Sequence, residues 1–325
     1  MKRRDFIAMI IGGAIVRPKY AQADQGRSIP RVGYIDPPTR SAGTQGLLAG
    51  LRELGYVDGR NIKLIEQKFS VPTVADMRAA ILAIIHDIDI LVVSGTVGGV
   101  AAKSVASDVP VVFVSVGAPV DIGLVKSLAK PGGNMTGVTF EAAQETYAKR
   151  LQLLTELVPG LSRVAVLAAV GDPNVAFAMA SLKRSAPGLG VSIAPIEFKS
   201  VDDLEPAFDE MKRTQMQALL VVAGYLTYTN IKKTTDLALT SHLPSCHGFK
   251  EAVAAGGLIS LGPDLVALGR QGARLVDKII QGERPADIPV EQPDRYVMDI
   301  NLQTARSLGL VVPPSLLAGA DQVIE

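Results

Sequence analysis

The stretch Ser94-Gly95-Thr96-Val97-Gly98-Gly99 is the first place in this chain where residue types and spacing point to chemistry. A β-branched run, Ile90 to Val93, leads into it, and a helical pattern over Val100 to Val105 leads out. Small residues at such a junction leave backbone N–H groups open at a helix start, where the positive end of the dipole favours a carboxylate or a phosphate. The spacing is not G-x-G-x-x-G and no P-loop Lys follows, so a nucleotide is not indicated. The alternative is a tight strand-to-helix turn that uses glycine only for packing.

Four further segments occupy comparable positions. Ser115-Val116-Gly117-Ala118-Pro119 follows another β-branched run, and Asn134-Met-Thr-Gly-Val-Thr139-Phe140 comes near mid-chain. Ser115, Gly117 and Thr139 offer donors and acceptors, and Phe140 a wall. Gly171-Asp172-Pro173 and Gly224-Tyr225-Leu226-Thr227-Tyr228 close two later strands, where the Tyr rings can stack and their hydroxyls bond. Buried framework tyrosines are the alternative. Asp36 and Asp172 sit at corresponding strand ends and allow a carboxylate pair, although loop capping or an ammonium partner fits them better than acid–base catalysis. Cys246-His247 is no nucleophile–base pair, because neighbours on a strand point to opposite faces. No G-x-S-x-G, H-E-x-x-H or C-x-x-C motif occurs after residue 23, so no enzyme is expected and the catalytic residue set is empty.

Composition narrows the classes. The 325 residues are 48% hydrophobic and 20% charged, too apolar for disorder, and the length fits two domains. With 33 basic against 32 acidic residues, nucleic acid is not an expected partner. One Cys excludes an internal disulfide framework, and three scattered His make poor material for a metal cage, so neither metal nor cofactor is expected. The short charge pairs Lys183-Arg184 and Lys232-Lys233 read as solvated helix faces.

The elements that must position these residues follow a repeated plan. Short β-branched strands alternate with longer helical patterns, the signature of parallel sheets. Arg31-Val-Gly-Tyr-Ile35 opens the first half and Arg163-Val-Ala-Val-Leu167 opens a second one 132 residues later. Ile90 to Gly95 and Leu219 to Gly224 each lie about 60 residues after their opening strand, and a strand follows a Pro in both halves, at Pro110 and Pro244. The spacing predicts helices over residues 46–55, 77–88, 146–158 and 265–281, a late strand over 295–300, and a helix over 302–308 capped by Asn301. The fold class is therefore α/β: two doubly wound parallel-sheet lobes of similar design joined by several crossovers. Ligands in such sheets bind beyond the carboxyl ends of the strands.

The N-terminal residues read as an export signal. Lys2-Arg3-Arg4 is a basic region, Phe6 to Val16 an apolar one too short to span a bilayer, and Ala21-Gln22-Ala23 a cleavage site. Arg3-Arg4-Asp5-Phe6-Ile7 also resembles a twin-arginine signal, with Lys2 where that motif prefers Ser or Thr. Residues 1–23 are thus a signal peptide cleaved after Ala23, and the mature chain, with a net charge of about −3, is expected in the periplasm as a monomer.

Taken together, Arg31-Val-Gly-Tyr-Ile35, Gly50-Leu-Arg-Glu-Leu-Gly-Tyr56 with Asn61-Ile62, Ser94-Gly-Thr96, Lys130-Pro-Gly-Gly-Asn-Met-Thr-Gly137, Ala255-Gly-Gly-Leu-Ile-Ser-Leu-Gly-Pro263, Gly282-Glu-Arg-Pro285 and Pro313-Pro-Ser-Leu-Leu317 resemble the ABC-transporter substrate-binding proteins related to tryptophan and tyrosine uptake systems. The resemblance covers nearly all of the chain after residue 23. It implies a type I periplasmic binding fold that closes by a hinge over a small ligand, with a membrane permease of an ABC importer as partner. It puts the ligand carboxylate at Ser94 to Thr96. Where relatives often carry an acid for the ligand's amino group, this chain reads Ala223-Gly224-Tyr225, and His247 and Leu261 stand where many relatives have Tyr. These departures point away from an α-amino acid and toward a carboxylate-bearing small molecule, aromatic ones included. The expected ligand-binding set is Asp36, Ser94, Gly95, Thr96, Ser115, Gly117, Thr139, Phe140, Asp172, Tyr225 and His247. The expected lobes are 28–140 plus about 262–290, and 141–261 plus about 291–325. A periplasmic sensing module that presents its ligand to a membrane receptor, or less readily a periplasmic hydrolase, are the alternatives. A DNA regulator is disfavoured by the leader.

Overall fold

A computed structural model describes residues 29–38, 40–141 and 145–325; the leader expected over residues 1–23 lies outside the described residues. The first lobe is built from β1 (Arg31–Asp36), α1 (Ala42–Glu53), β2 (Lys63–Lys68), α2 (Val74–Leu82), β3 (Ile90–Ser94), α3 (Gly95–Val105), β4 (Val111–Gly117) and β5 (Met135–Glu141). Its five strands lie in the order β2-β1-β3-β4-β5, all parallel. The chain then runs through α4 (Glu145–Leu157), β6 (Arg163–Ala169), α5 (Asn174–Ser185), β7 (Ser192–Phe198), α6 (Leu204–Arg213), β8 (Ala218–Val221), α7 (Tyr225–Thr229), α8 (Ile231–Thr240), β9 (Ser245–His247), α9 (Lys250–Ala254) and β10 (Ile259–Pro263). These strands take the order β7-β6-β8-β9-β10, the same winding as in the first lobe. The repeat in sequence is thus a repeat in topology.

Helix α10 (Leu265–Ile280) packs back against α1, β4 and β5 of the first lobe. Glycine makes this possible. A Cβ at Gly46 would collide with the Val266 carbonyl, and one at Gly269 with the Gly43 carbonyl, so the two helices approach with backbone against backbone. The chain then crosses once more to β11 (Tyr296–Asn301), α11 (Leu302–Ser307), α12 (Pro314–Gly319) and β12 (Gln322–Ile324). Strand β11 joins β10 antiparallel and β12 pairs with β11 parallel, which completes a seven-stranded second sheet. Asn301 caps α11 by accepting the Thr304 N–H at 3.0 Å.

Sequence patterning and structure differ in four places. The helix expected over 46–55 is α1, which starts at Ala42 because the Ser41 side chain accepts the Thr44 N–H. The helix expected over 77–88 is α2, shifted to 74–82 because the Thr73 side chain accepts the Asp76 N–H, followed by a short 3-10 turn at Ile85–Asp87. Helix α3 begins at Gly95, five residues earlier than its apolar pattern, because Gly95 adopts φ +74° and folds the chain straight out of β3. The stretch 224–228, read as a loop, contains the short helix α7.

Three crossings join the lobes. At the first, the buried Glu141 carboxylate at the end of β5 pairs with the buried Arg150 guanidinium on α4. Arg150 Nε also donates to the Leu261 carbonyl at 2.8 Å, and its guanidinium lies 4.8 Å from the Tyr147 ring centroid. The last crossing runs beside β5: the Glu291 N–H donates to the Gly137 carbonyl and the Thr139 N–H to the Glu291 carbonyl, both at 2.9 Å. One apolar cluster fills the first lobe and two lie mainly in the second, and a fourth spans both, with Ala223, Ile231, Phe249 and Ala252 packed among Leu265, Leu268 and α1 residues.

Candidate functional site

A cavity of about 720 Å³ lies between the lobes, where the carboxyl ends of the strands of both sheets converge. Its first wall comes from the β1 end (Ile35 to Pro38), the α1 start (Ser41, Gly43), the segment after β2 (Phe69, Ser70), the β3–α3 junction (Ser94 to Thr96) and the β4 end (Ser115, Gly117). The opposite wall comes from Asn174, Ala223 to Tyr225, Tyr228, Phe249 and Glu251. The volume falls within the ~300–1,000 Å³ of small-molecule pockets, and most of the wall is apolar.

Eight of the eleven expected residues line this cavity: Asp36, Ser94, Gly95, Thr96, Ser115, Gly117, Phe140 and Tyr225. The first N–H groups of α3 have no intrahelical acceptor and open at Ser94–Thr96. The Thr96 hydroxyl accepts the Gly117 N–H at 3.1 Å, which ties this helix start to the β4 end. Ser115 takes φ +61°, in the left-handed region, and turns the chain at the rim of the site. Asp36 is buried: it accepts the Thr44 hydroxyl at 2.9 Å and faces the Ser41 N–H at 3.4 Å, while burial pushes its carboxyl above the usual carboxylate range. It therefore anchors the start of α1.

Thr139, Asp172 and His247 do not line the cavity. Thr139 is neighbour to Phe140 on β5 and points to the opposite face, fully buried. His247 is buried within the second lobe with Nε2 3.0 Å from the Ser245 hydroxyl; burial lowers its pKa to about 3, so the ring is neutral. Cys246 points the other way, and burial pushes its thiol up to about 12, an inert state. Asp172 stands behind the wall. Its Oδ1 accepts the Asn174 N–H at 2.9 Å, and its Oδ2 fills the space that a side chain at Gly224 would need. Burial raises its pKa to about 6. Asp36 and Asp172 thus serve separate local networks.

Several cavity residues escaped sequence reading. Phe69 and Phe249 follow β2 and β9, so the strand-end rule reaches them once those strands are known; β2 and β7 had no clear apolar pattern, being mostly exposed or half-buried. Phe69 meets Tyr225 edge-on across the cleft, ring centroids 5.3 Å apart. Phe249 packs against Tyr228 at 5.0 Å and Phe140 at 5.2 Å. Burial and the Glu251 charge push the Tyr228 hydroxyl up to about 12, so it remains a neutral donor. Lys232, read as a solvated helix face, is largely exposed and paired with Asp236, yet it also borders the cavity. Among the described residues no group of His, Cys, Asp and Glu is placed to hold a metal, and no helix is long and apolar enough to cross a membrane.

Two α/β lobes with an aromatic-walled cavity between their strand ends have the type I periplasmic binding fold. The chain belongs to the ABC transporter substrate binding protein family, whose model matches residues 31–324. It is 24% identical over 278 residues to a tyrosine-binding protein of Clostridioides difficile, covering 85% of this chain and 79% of that one. Among solved structures, a Streptococcus pneumonia ABC domain in complex with L-Trp superposes with a TM-score of 0.85 at 24% identity, over 91% of this chain and all of that one. A ligand-free, open substrate-binding protein with adhesive properties from Clostridium difficile superposes at 0.67 and 22% identity, over 91% and 99%.

Proposed function

We propose that the mature chain is the periplasmic solute-binding component of an ABC importer, which captures a small carboxylate-bearing, aromatic molecule by closing its lobes and presents it to a membrane permease. The observation that carries this reading is the start of α3, open at Ser94–Thr96 on one side of an aromatic-walled cavity whose other side belongs to the second lobe. A helix N-terminus stabilises a carboxylate by about 0.3–2 kcal/mol, and an enclosed ring supplies the larger apolar share. A micromolar affinity would need about −8 kcal/mol net, within reach of one anchored carboxylate plus an enclosed apolar ring.

Closure is supported by the contact of Phe69 with Tyr225 and by the better superposition on the Trp-bound relative than on the open one. The moving bodies are residues 28–140 with about 262–290, and 141–261 with about 291–325; the packing of α10 on α1 and of β11 on β10 supports these limits. Ligand contacts to both walls favour the closed state, and the binding free energy is the differential affinity for it. The family is one of solute-binding proteins, and the separate settings of Asp36 and Asp172 favour binding without turnover.

The test is a thermal-shift screen of aromatic acids, amino acids and dicarboxylates on the mature protein, since ligands selective for the native state raise its melting temperature. Thr96→Pro removes one N–H from the α3 start, in the first turn where helices tolerate proline, and also the hydroxyl that accepts the Gly117 N–H. Ligand shifts are therefore read against the variant's own ligand-free melting temperature, with Thr96→Val as the control that loses only the hydroxyl. In Thr96→Pro the best ligand should give no shift, and an unchanged shift would count against the carboxylate site.

A further inference from the structure

The two walls of the cavity touch on both sides of it. Phe69 meets Tyr225 at the far edge, and Asn174 at the start of α5 meets Gly117 at the end of β4. The second contact is steric. A Cβ on Gly117 would collide with the Asn174 side chain, and the nearest atoms around that Cβ all belong to Asn174. Gly117 does not need glycine for its own backbone, because its φ lies outside the left-handed region that nearby Ser115 and Ala118 occupy. What demands a missing side chain at 117 is therefore a residue of the other lobe.

Asn174 cannot swing aside. It is 2% exposed, and its Nδ2 donates to the Tyr147 hydroxyl at 3.0 Å and to the Ala223 carbonyl at 2.9 Å. Both amide hydrogens are thereby engaged, and it is Oδ1 that faces Gly117. Tyr147 is itself fully buried against the Arg150 guanidinium that pairs with Glu141. On the facing wall, the Gly117 N–H is fixed by the Thr96 hydroxyl. Two rigid surfaces thus meet with no room between them, and such packing resists even one added methyl.

The position of this contact gives it leverage. The first and last crossings lie at β5, and the strand order β2-β1-β3-β4-β5 at about 4.8 Å per strand puts β4 about 5 Å and β2 about 19 Å away. About 1 Å of forced separation at β4 therefore becomes about 4 Å at β2, enough to part Phe69 from Tyr225.

We propose that Asn174 and Gly117 form the seat on which the lobes come to rest, so that Asn174 is a positioning residue that sets how far the cavity closes. The seat acts on the closing equilibrium and is indifferent to which solute is enclosed. This rests on capture by lobe closure, proposed above, and adds where that closure ends.

Double electron–electron resonance tests it, with spin labels at Val71→Cys and Val170→Cys, exposed valines beyond β2 and β6 in different lobes; Cys246 is buried and stays unlabelled. The probes are L-tryptophan and 4-hydroxybenzoate, with affinities from isothermal titration. Gly117→Ala should lengthen the probe-bound distance by about 4 Å. It should also weaken both probes by the same factor, about tenfold. Asn174→Gln, which lengthens the side chain on the opposite wall, should lengthen the distance likewise. In an Asn174→Ala background, Gly117→Ala should alter affinity by about twofold or less and leave the short distance in place. A distance unchanged in both Gly117→Ala and Asn174→Gln, a loss confined to one probe, or an equal loss in the Asn174→Ala background overturns the seat and leaves capture by closure standing. If neither probe shortens the distance in the protein with Gly117 and Asn174 intact, both proposals fall.

Discussion

Asp172, outside the cavity lining, shows how a single carboxyl can set the pH dependence of stability. Its carboxyl is held against Gly224 and bonded to the Asn174 N–H, and burial raises its pKa from 3.8 to about 6. A carboxyl that is a weaker acid in the folded chain than in the unfolded one destabilises the fold once ionised. The penalty is absent below about pH 4, grows between pH 4 and 6, and is complete above pH 6. Asp172→Asn should therefore stabilise the protein at pH 8 by up to about 3 kcal/mol and make little difference at pH 4, as read from urea denaturation at the two pH values. At Thr96 a different loss applies. Thr96→Val leaves the buried Gly117 N–H without its acceptor, and melting should show a cost of about 1–3 kcal/mol even without ligand.

The pairing of α1 with α10 matters most among the elements, because it draws a helix that follows β10 of the second lobe back onto the first. Gly43, Gly46 and Gly50 on α1 meet Gly269 and Arg270 on α10 at backbone distance. Gly46→Ala would push a methyl into the Val266 carbonyl, where helix backbone cannot give way as a side chain does. A destabilisation of at least about 1–3 kcal/mol is expected, with a lower denaturation midpoint and an unchanged m-value. The start of α10 also borders the cavity through Leu265, so separation of the helices should weaken ligand binding along with stability.

For the molecule as a whole, the first crossing between lobes is an ion pair out of reach of water. Glu141 and Arg150 are both fully buried, and Arg150 further holds the Leu261 carbonyl and the face of Tyr147. Tyr147 in turn bonds Asn174 on the cavity wall at 3.0 Å. Arg150→Met leaves Glu141 as an uncompensated buried charge and should cost about 3–5 kcal/mol in urea denaturation, whereas Arg150→Met combined with Glu141→Leu should recover much of it. If closure is the mode of capture, the best ligand of the thermal-shift screen should also reduce the radius of gyration in small-angle scattering relative to the ligand-free protein.

The sequence by itself determined the alternation of strands and helices, the repeat of one winding after 132 residues, and the loop at Ser94–Thr96, because local patterns of β-branched residues, apolar periodicity and glycine carry that information. It also located the parts of the first wall at the ends of β1, β3 and β4, since ligand positions in a doubly wound sheet follow from strand ends. Only the tertiary structure decided that His247 and Thr139 face the interior and that Gly224 is small to admit Asp172. It alone brought Phe69 to Tyr225 across the cleft. Those relations join residues more than 50 positions apart or depend on which face of a short strand turns inward, and no local pattern encodes them. What a side chain does here depends on what the rest of the chain has already matched.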